Sequence, residues 1–181
     1  MNRVRAYPVG QENIALAGAK AKARQRVCLS QKREYGWLRM DPCVEYAEDA
    51  QGIEPIKSSR DIAKLAAETF QVGARMQEMI WVISLDVRNR PMGWEEVFRG
   101  GRDSAMVDRV KLLQSPLLVG ASAFILLHNH PSEEANPSPE DIELTAQVKG
   151  AAKQVGLQLL DHIILTRHAD RYFSFLDAGM L

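Results

Sequence analysis

Hydrophobic and polar positions alternate in blocks along the last two thirds of the chain, and these blocks predict strands and helices in turn. The strand blocks are apolar and rich in β-branched residues, which is typical of buried strands. The helix blocks repeat apolar residues at helical spacing. The predicted strands are 79–87, 93–98, 122–127, 157–166 and 172–176, and the predicted helices are 58–70, 105–118 and 138–155. Strands that alternate with helices predict an α/β fold.

The third helix carries the clearest start and stop signals. Ser138 suits the N-cap, Pro139 the first helical position, and Gly156 the end. An apolar stripe runs along this helix, and a second stripe lies on one side of the helix before it. The first stripe is Ile142, Ala146, Val148, Ala152 and Val155, and the second is Val107, Val110, Leu113 and Leu117.

Residues 1–55 show a weaker pattern than the rest. The Ala-rich segment from Asn13 to Val27, with Lys and Arg spaced along it, suits an exposed helix. Residues 1–34 hold eight basic side chains against Glu12 and Glu34. This excess fits either a solvated arm or an arm that contacts nucleic acid, and the residues do not separate the two. We predict a basic, partly helical N-terminal extension at 1–55 and a folded domain at 56–181.

The overall charge and cysteine content exclude several classes of protein. Lys plus Arg equals Asp plus Glu at 23 each, so there is no global electrostatic case for nucleic-acid or membrane binding. Cys28 and Cys43 lie far apart in the sequence, which makes a disulfide framework unexpected. No run of residues is apolar enough for a secretory signal or a membrane span. We therefore predict a cytoplasmic protein.

The residues that indicate chemistry follow the second buried strand. His128 and His130 are two positions apart, so both imidazoles leave the strand on one face and can reach one ion. Asp141, in the first turn of the next helix, is placed to be a third ligand. Three protein ligands with one open position are typical of a catalytic zinc site. We predict one divalent ion per chain, with zinc preferred, that activates water for hydrolysis.

Two further roles are needed at such a site, a proton shuttle and a group that stabilises an oxyanion. Glu78, Glu95 and Glu96 are candidate shuttles, and Glu78 is favoured because it directly precedes a buried strand. Ser138 can cap its helix or turn its hydroxyl toward an oxyanion, and we favour the catalytic role.

At this point the residues resemble a known family. The run from His128 to Asp141 is similar to the H-x-H-x7-S-x2-D motif of JAMM (MPN+) metalloproteases, and His128-Asn129-His130-Pro131-Ser132 resembles their RadC-like branch. The segments 58–61, 77–89, 159–164 and 172–175 are also similar to that branch. Together the resemblance covers about residues 56–181.

The resemblance implies a curved mixed sheet flanked by helices, with an architecture akin to cytidine deaminases. It implies zinc held by His128, His130 and Asp141, a catalytic glutamate at Glu78, and the motif serine at Ser138. It also implies cleavage of peptide or isopeptide bonds, with a peptide or ubiquitin-like conjugate as substrate.

The chain departs from the family pattern in two places. Glu133 stands where the branch has glycine, and Glu134 follows it, so two carboxylates could alter or occupy the site; we expect them to face solvent. The helix-hairpin-helix segment that often precedes this domain is not recognisable in residues 1–55. Asp161 and His162, within the predicted strand 157–166, we interpret as structural.

Two hypotheses for the function follow. The first is a zinc hydrolase that acts on a peptide or isopeptide bond. The second is a DNA-repair-associated module that binds or recruits nucleic acid, since RadC-like proteins often carry that label. A zinc deaminase is excluded because the H-x-E and P-C-x-x-C signature is not present.

Overall fold

The computed structural model describes residues 26–34, 37–45, 54–70, 72, 76–100, 107–132, 134–168 and 170–181. Within them the chain forms seven strands and three helices. In chain order these are β1 Arg26–Glu34, β2 Trp37–Glu45, α1 Ser59–Phe70, β3 Met79–Leu85, β4 Pro91–Arg99, α2 Arg109–Leu118, β5 Ala123–Asn129, α3 Pro139–Gln154, β6 Gln158–Leu165 and β7 Tyr172–Ser174.

The main sheet is mixed and has the strand order β4-β3-β5-β6-β7. Its pairs are antiparallel except for β5 and β6, which run parallel because α3 carries the chain back between them. This crossover places the residues after β5 and those at the start of α3 at the same end of the sheet.

Helices cover both faces of this sheet. On one face α1 packs Ile62, Ala66 and Phe70 against the inner strands, and the rings of Phe70 and Trp81 stack with centroids 4.9 Å apart. On the other face, Leu112 of α2 and Val148 of α3 belong to a second core. The sheet is thus buried on both sides, which explains the continuous apolar runs of β3 and β5. The predicted α/β class, with a mixed sheet flanked by helices, is confirmed.

The predicted apolar stripes of the second and third helices are partly wrong. Ile142 and Val155 are 42% and 49% exposed, and the face of α3 that packs on the sheet is instead Asp141, Thr145, Val148 and Ala152. In α2 the buried residues are Leu112, Leu113 and Pro116, while Val110 and Leu117 are exposed. The first two residues on the inward face of α3 are polar, so a search for apolar positions could not identify that face. Among the described residues, no helix combines the length and apolarity that a membrane crossing needs.

The first two strands form a separate antiparallel pair. The helix predicted from Asn13 to Val27 is wrong at its last two residues, which belong to β1, and the remainder of it lies outside the described residues. The backbone register sets Cys28 opposite Cys43, so the two positions are distant only in sequence.

Candidate metal centre

The three predicted metal ligands lie together at the end of β5. Nδ1 of His128 is 2.9 Å from Oδ1 of Asp141, and Nε2 of His130 is 3.3 Å from Oδ2 of the same carboxylate. One ligand atom from each residue falls within 4.8 Å of the other two. The sequence placed these residues on different elements, and the fold brings them to one point.

The fold buries this group at the edge of the second core. His128 ends the buried run of β5, with 7% exposure, and Asp141 is 4% exposed on the inward face of α3. His130 follows the strand, and its backbone N–H donates to the carbonyl of Leu165 on β6. Both imidazoles are therefore fixed by strand pairing, and the carboxylate is fixed by helix packing.

Ser138 caps α3 and holds Asp141 at the same time. Its Oγ accepts from the backbone N–H of Asp141 at 3.1 Å and donates to Asp141 Oδ2 at 2.7 Å. The Ser138 backbone N–H also donates to Oδ2, at 2.8 Å, which completes a capping box. The hydroxyl proton is thus given to the carboxylate in this structure, and the oxyanion role of Ser138 stays a prediction.

A backbone carbonyl sets the orientation of His130. Nδ1 of His130 lies 2.9 Å from the carbonyl oxygen of Glu134, which can only accept, so Nδ1 carries the proton. Nε2 is therefore the ring nitrogen that faces Asp141, and it is the one that would bind a cation after losing its proton. The side chain of Glu134 is exposed, as expected, and Glu133 lies outside the described residues.

The charges at this site reinforce one another. Burial alone would raise the pKa of Asp141, but hydrogen bonds from His128, His130 and Ser138 outweigh it and hold that pKa well below its usual range. The hydrogen bond to Asp141 raises the pKa of His130 against the opposing effect of burial. The carboxylate is therefore ionised, which is the form that binds a metal ion.

The arrangement fits a metal ion in both donor type and spacing. Two imidazoles and one carboxylate are a ligand set found in catalytic zinc sites. Tetrahedral ligands about 2.0–2.1 Å from zinc lie about 3.3 Å from one another. The 3.3 Å between His130 and Asp141 equals that spacing, and the 2.9 Å between His128 and Asp141 is slightly shorter. These two distances end on different oxygens of Asp141, and the three ligand atoms lie within 4.8 Å of one another, so His128, His130 and Asp141 could hold a metal ion once their side chains draw together.

Glu78 lies on the same face of the sheet as the two histidines. Ile80 pairs with His128 across β3 and β5. Because side chains alternate along a strand, Glu78, two residues before Ile80, shares that face with His130, two residues after His128. The negative charge of Glu78 is the smallest of the effects on the pKa of His130, and the Glu78 side chain is exposed.

The other two candidate glutamates are engaged elsewhere. Glu96 accepts hydrogen bonds from Nε and Nη2 of Arg99 at 2.8 Å and 2.9 Å. Burial raises the pKa of Glu95, against a hydrogen bond from Ser115 and the positive charge of Lys111 on α2. The geometry thus favours Glu78 as the carboxylate next to the ligand group.

Asn129 holds the backbone around Glu78, a role that the sequence did not reveal. Its Oδ1 accepts from the N–H of Met79 at 2.8 Å, and its Nδ2 donates to the carbonyl of Gln77 at 3.0 Å. The N–H of Gly100 donates to the carbonyl of Glu78 at 2.7 Å, and a Cβ at Gly100 would sit 3.2 Å from that oxygen. An amide side chain at the end of a buried strand was the available signal for Asn129.

Asp161 and His162 are buried on β6, as interpreted from the sequence. Asp161 accepts hydrogen bonds from the N–H groups of His162 and Leu176, at 2.7 Å and 3.0 Å, and from the hydroxyl of Ser174 at 2.6 Å. Burial nevertheless raises the pKa of Asp161, since these bonds only partly offset the loss of water. Its carboxylate ties β6 to the turn after β7.

We expect Asp161→Asn to become more stable relative to the parent as pH rises. A raised pKa means that the folded chain keeps the Asp161 proton to higher pH than the unfolded chain, whose carboxyl titrates near 3.8. Between those two values the folded state binds more protons, so the parent's free energy of unfolding falls with pH, whereas asparagine has no proton to lose. Urea unfolding of both proteins at about pH 4 and about pH 7 measures this difference. If the parent's free energy of unfolding rose relative to that of the variant over the same pH interval, the raised pKa of Asp161 would be contradicted.

The folded part of the chain is similar to known proteins. A family model described as RadC-like JAB domain matches residues 56–180. A UPF0758 protein of Clostridium perfringens is 34% identical over 126 residues, which cover 70% of this chain and 54% of that protein. A UPF0758 protein of Aromatoleum aromaticum is 40% identical over 138 residues, covering 76% and 59%, and one of Ralstonia nicotianae is 31% identical over 173 residues, covering 86% and 74%. These names state no activity, and the chain spans little more than half the length of the first two relatives.

Proposed function

Because the chain belongs to the RadC-like JAB domain family, we propose that it is a zinc-dependent hydrolase that cleaves a peptide or isopeptide bond. The family suggests a metal-dependent hydrolase-like domain. The observation that carries the finer proposal is the meeting of His128, His130 and Asp141, with Glu78 on the same face of the sheet. Ligands, an ionised carboxylate and a nearby proton acceptor are the parts that such a reaction needs.

In this proposal the protein residues bind the ion and move the protons. A zinc ion, when bound, supplies Lewis-acid chemistry, which polarises a carbonyl and lowers the pKa of water from 15.7 to about 7. His128, His130 and Asp141 hold it. The carboxylate of Glu78 takes a proton from the attacking water and later gives it to the leaving amine nitrogen. Asn129 and Gly100 fix the backbone on either side of that carboxylate.

Ser138 would stabilise the oxyanion by redirecting its hydroxyl. The hydroxyl proton that now goes to Asp141 Oδ2 would be free to turn toward substrate if a bound cation neutralised that carboxylate. The backbone N–H of Ser138 donates to the same oxygen, so this contact of the helix cap does not depend on the hydroxyl.

The substrate and location are part of the same proposal. We propose a peptide or a ubiquitin-like protein conjugate as substrate, and a cytoplasmic location, which is supported by the two-cysteine composition. A cleavage screen tests this: zinc-loaded protein is incubated with peptide libraries and with isopeptide-linked conjugates, with and without chelator. Chelator-sensitive hydrolysis is expected. Absence of cleavage of both substrate classes by the zinc-loaded protein would contradict the proposal.

Zinc is expected to raise the melting temperature of the metal-free protein. A ligand that binds only the folded state at about a hundred times its Kd stabilises by about 2.7 kcal/mol. For a chain of this size, that corresponds to a rise of about 5–10 °C. Differential scanning calorimetry with zinc, with magnesium and with chelator measures the rise, and magnesium should give little because it prefers oxygen ligands. An unchanged melting temperature at saturating zinc would argue against the site.

A further inference from the structure

His162 is a buried histidine next to the metal centre that has no part in the proposed reaction. It lies on β6 with 0% exposure, and its ring stacks on Phe175 with centroids 4.8 Å apart. Its ring is also nearly parallel to that of His128, with centroids 6.3 Å apart. His162 is therefore built into the wall behind one of the ligands.

The hydrogen bonds around His162 fix its protonation and lead to Asp141. Oγ1 of Thr145 lies 2.6 Å from the carbonyl oxygen of Asp141 and 2.7 Å from Nδ1 of His162. A carbonyl oxygen only accepts, so the one hydroxyl proton of Thr145 goes to Asp141, and Oγ1 must accept from Nδ1–H of His162. A directional chain runs from His162 through Thr145 to Asp141.

Because Nδ1 carries the proton of His162, its other ring nitrogen, Nε2, is an acceptor without a partner among the described residues. Nε2 carries a lone pair that accepts no hydrogen bond from the described residues, although it is fully buried. An unpaired buried acceptor is destabilising, and a leucine of similar size would avoid it. The ring therefore supplies its Nδ1–H donor at the cost of an unpaired acceptor, which indicates a role beyond filling the core.

We propose that His162 is a positioning residue that, through Thr145, holds the first turn of α3 so that the carboxylate of Asp141 meets His128 and His130. This inference rests on the proposed metal site. The carboxylate oxygens of Asp141 are held by His128, His130 and Ser138, whereas the Thr145 hydroxyl holds its carbonyl from the opposite end of the residue. Loss of this hydrogen-bond chain lets the first turn of α3 shift, which lowers the affinity for the metal ion without removing a ligand.

The test measures zinc affinity of the full chain by competition with a chromogenic chelator. His162→Leu and Thr145→Val each break the hydrogen-bond chain from His162 to Asp141. We expect each variant to bind zinc about 10–100-fold more weakly than the parent. His162→Asn keeps a donor near Nδ1, and Thr145→Ser keeps the hydroxyl, so both should stay within about threefold. The zinc affinity of the double variant His162→Leu/Thr145→Val should lie within about threefold of that of the weaker-binding single variant, because both substitutions break the same hydrogen-bond chain.

A matched control separates positioning from general loosening of the core. Ile163→Val lies one residue away on the opposite face of β6 and should lower stability while it leaves zinc affinity unchanged. Urea unfolding of the metal-free proteins gives the stability of each variant. If His162→Leu does not fold, Thr145→Val against Thr145→Ser carries the same comparison.

The outcomes separate this inference from the proposed function. A parent that binds no zinc overturns both. A parent that binds zinc, while His162→Leu and Thr145→Val bind it equally tightly, overturns only the positioning role. Loss of affinity in Ile163→Val to the same degree also overturns it, as does failure of His162→Asn and Thr145→Ser to restore affinity.

Discussion

Glu78→Gln is expected to bind zinc as the parent does and to hydrolyse its substrate about 10²–10⁴-fold more slowly. The amide keeps the size of the carboxylate and its position just before β3, but it cannot accept a proton from water. The ligands of the ion are unchanged, so chelator competition should give the parent's affinity. Single-turnover hydrolysis by the zinc-loaded proteins measures the difference in rate.

Glu96→Gln is the matched control for this change. It makes the same replacement on the neighbouring strand, where the carboxylate is held by Arg99 and not by the metal centre. Loss of that exposed pair should cost no more than about 1 kcal/mol of stability and leave hydrolysis unchanged. Equal rates for Glu78→Gln and the parent would remove Glu78 from the mechanism, and equal losses in both variants would point to a general effect of charge.

Asp141→Ala is expected to take bound zinc from about one ion per chain to nearly none. The substitution removes the only carboxylate among the three ligands and leaves His128 Nδ1 and the Ser138 hydroxyl without their acceptor. Metal analysis by mass spectrometry after equilibration with zinc gives the stoichiometry. Unpaired polar groups left by the change should also cost about 1–3 kcal/mol in the metal-free protein, measured by urea unfolding.

Glu140→Ala is the control for the helix terminus. Glu140 is the exposed residue beside Asp141 in the same first turn, so its loss removes a favourable charge worth about 0.3–1 kcal/mol without a ligand. It should retain one zinc ion per chain. An Asp141→Ala protein that still binds one ion would require a different ligand set.

Much of the fold could be predicted from the sequence because most of its elements have strong local patterns. The apolar runs predicted β3 and β5, since strands buried on both faces have no polar side to interrupt them. β6 was also predicted, although buried Asp161 and His162 interrupt its apolar residues. The predicted start of α3 is also confirmed, since Ser138 caps it. In α1 the hydroxyl of Ser58 plays the same part by accepting from the N–H of Asp61 at 3.2 Å. These features depend only on residues that are close in the chain.

The orientation of the helices could not be predicted in the same way. The inward face of α3 begins with Asp141 and Thr145 because both are bound to the sheet side by polar contacts. A pattern that assigns polar residues to solvent therefore turns the helix the wrong way. The site itself was responsible for the error, since it replaces apolar packing with hydrogen bonds.

The grouping of His128, His130 and Asp141 was predictable from spacing, but the residues around them were not. Asn129 occupies the unspecified position between the two histidines, and its contacts with Gln77 and Met79 depend on a strand that lies about fifty residues earlier. The contact of Thr145 with His162 likewise depends on the register of helix against strand. Such long-range pairings are absent from local sequence, and only the folded chain reveals them.

The carbonyl of Glu134 that orients His130 belongs to the backbone, and this has a consequence for how the protein can change. Every amino acid offers the same carbonyl, so no single replacement at position 134 deletes the contact. Insertions or deletions between Pro131 and Pro137, in contrast, would move that oxygen away from the ring. Substitutions in this loop should therefore leave the orientation of His130 unchanged, whereas changes in the length of the loop should not.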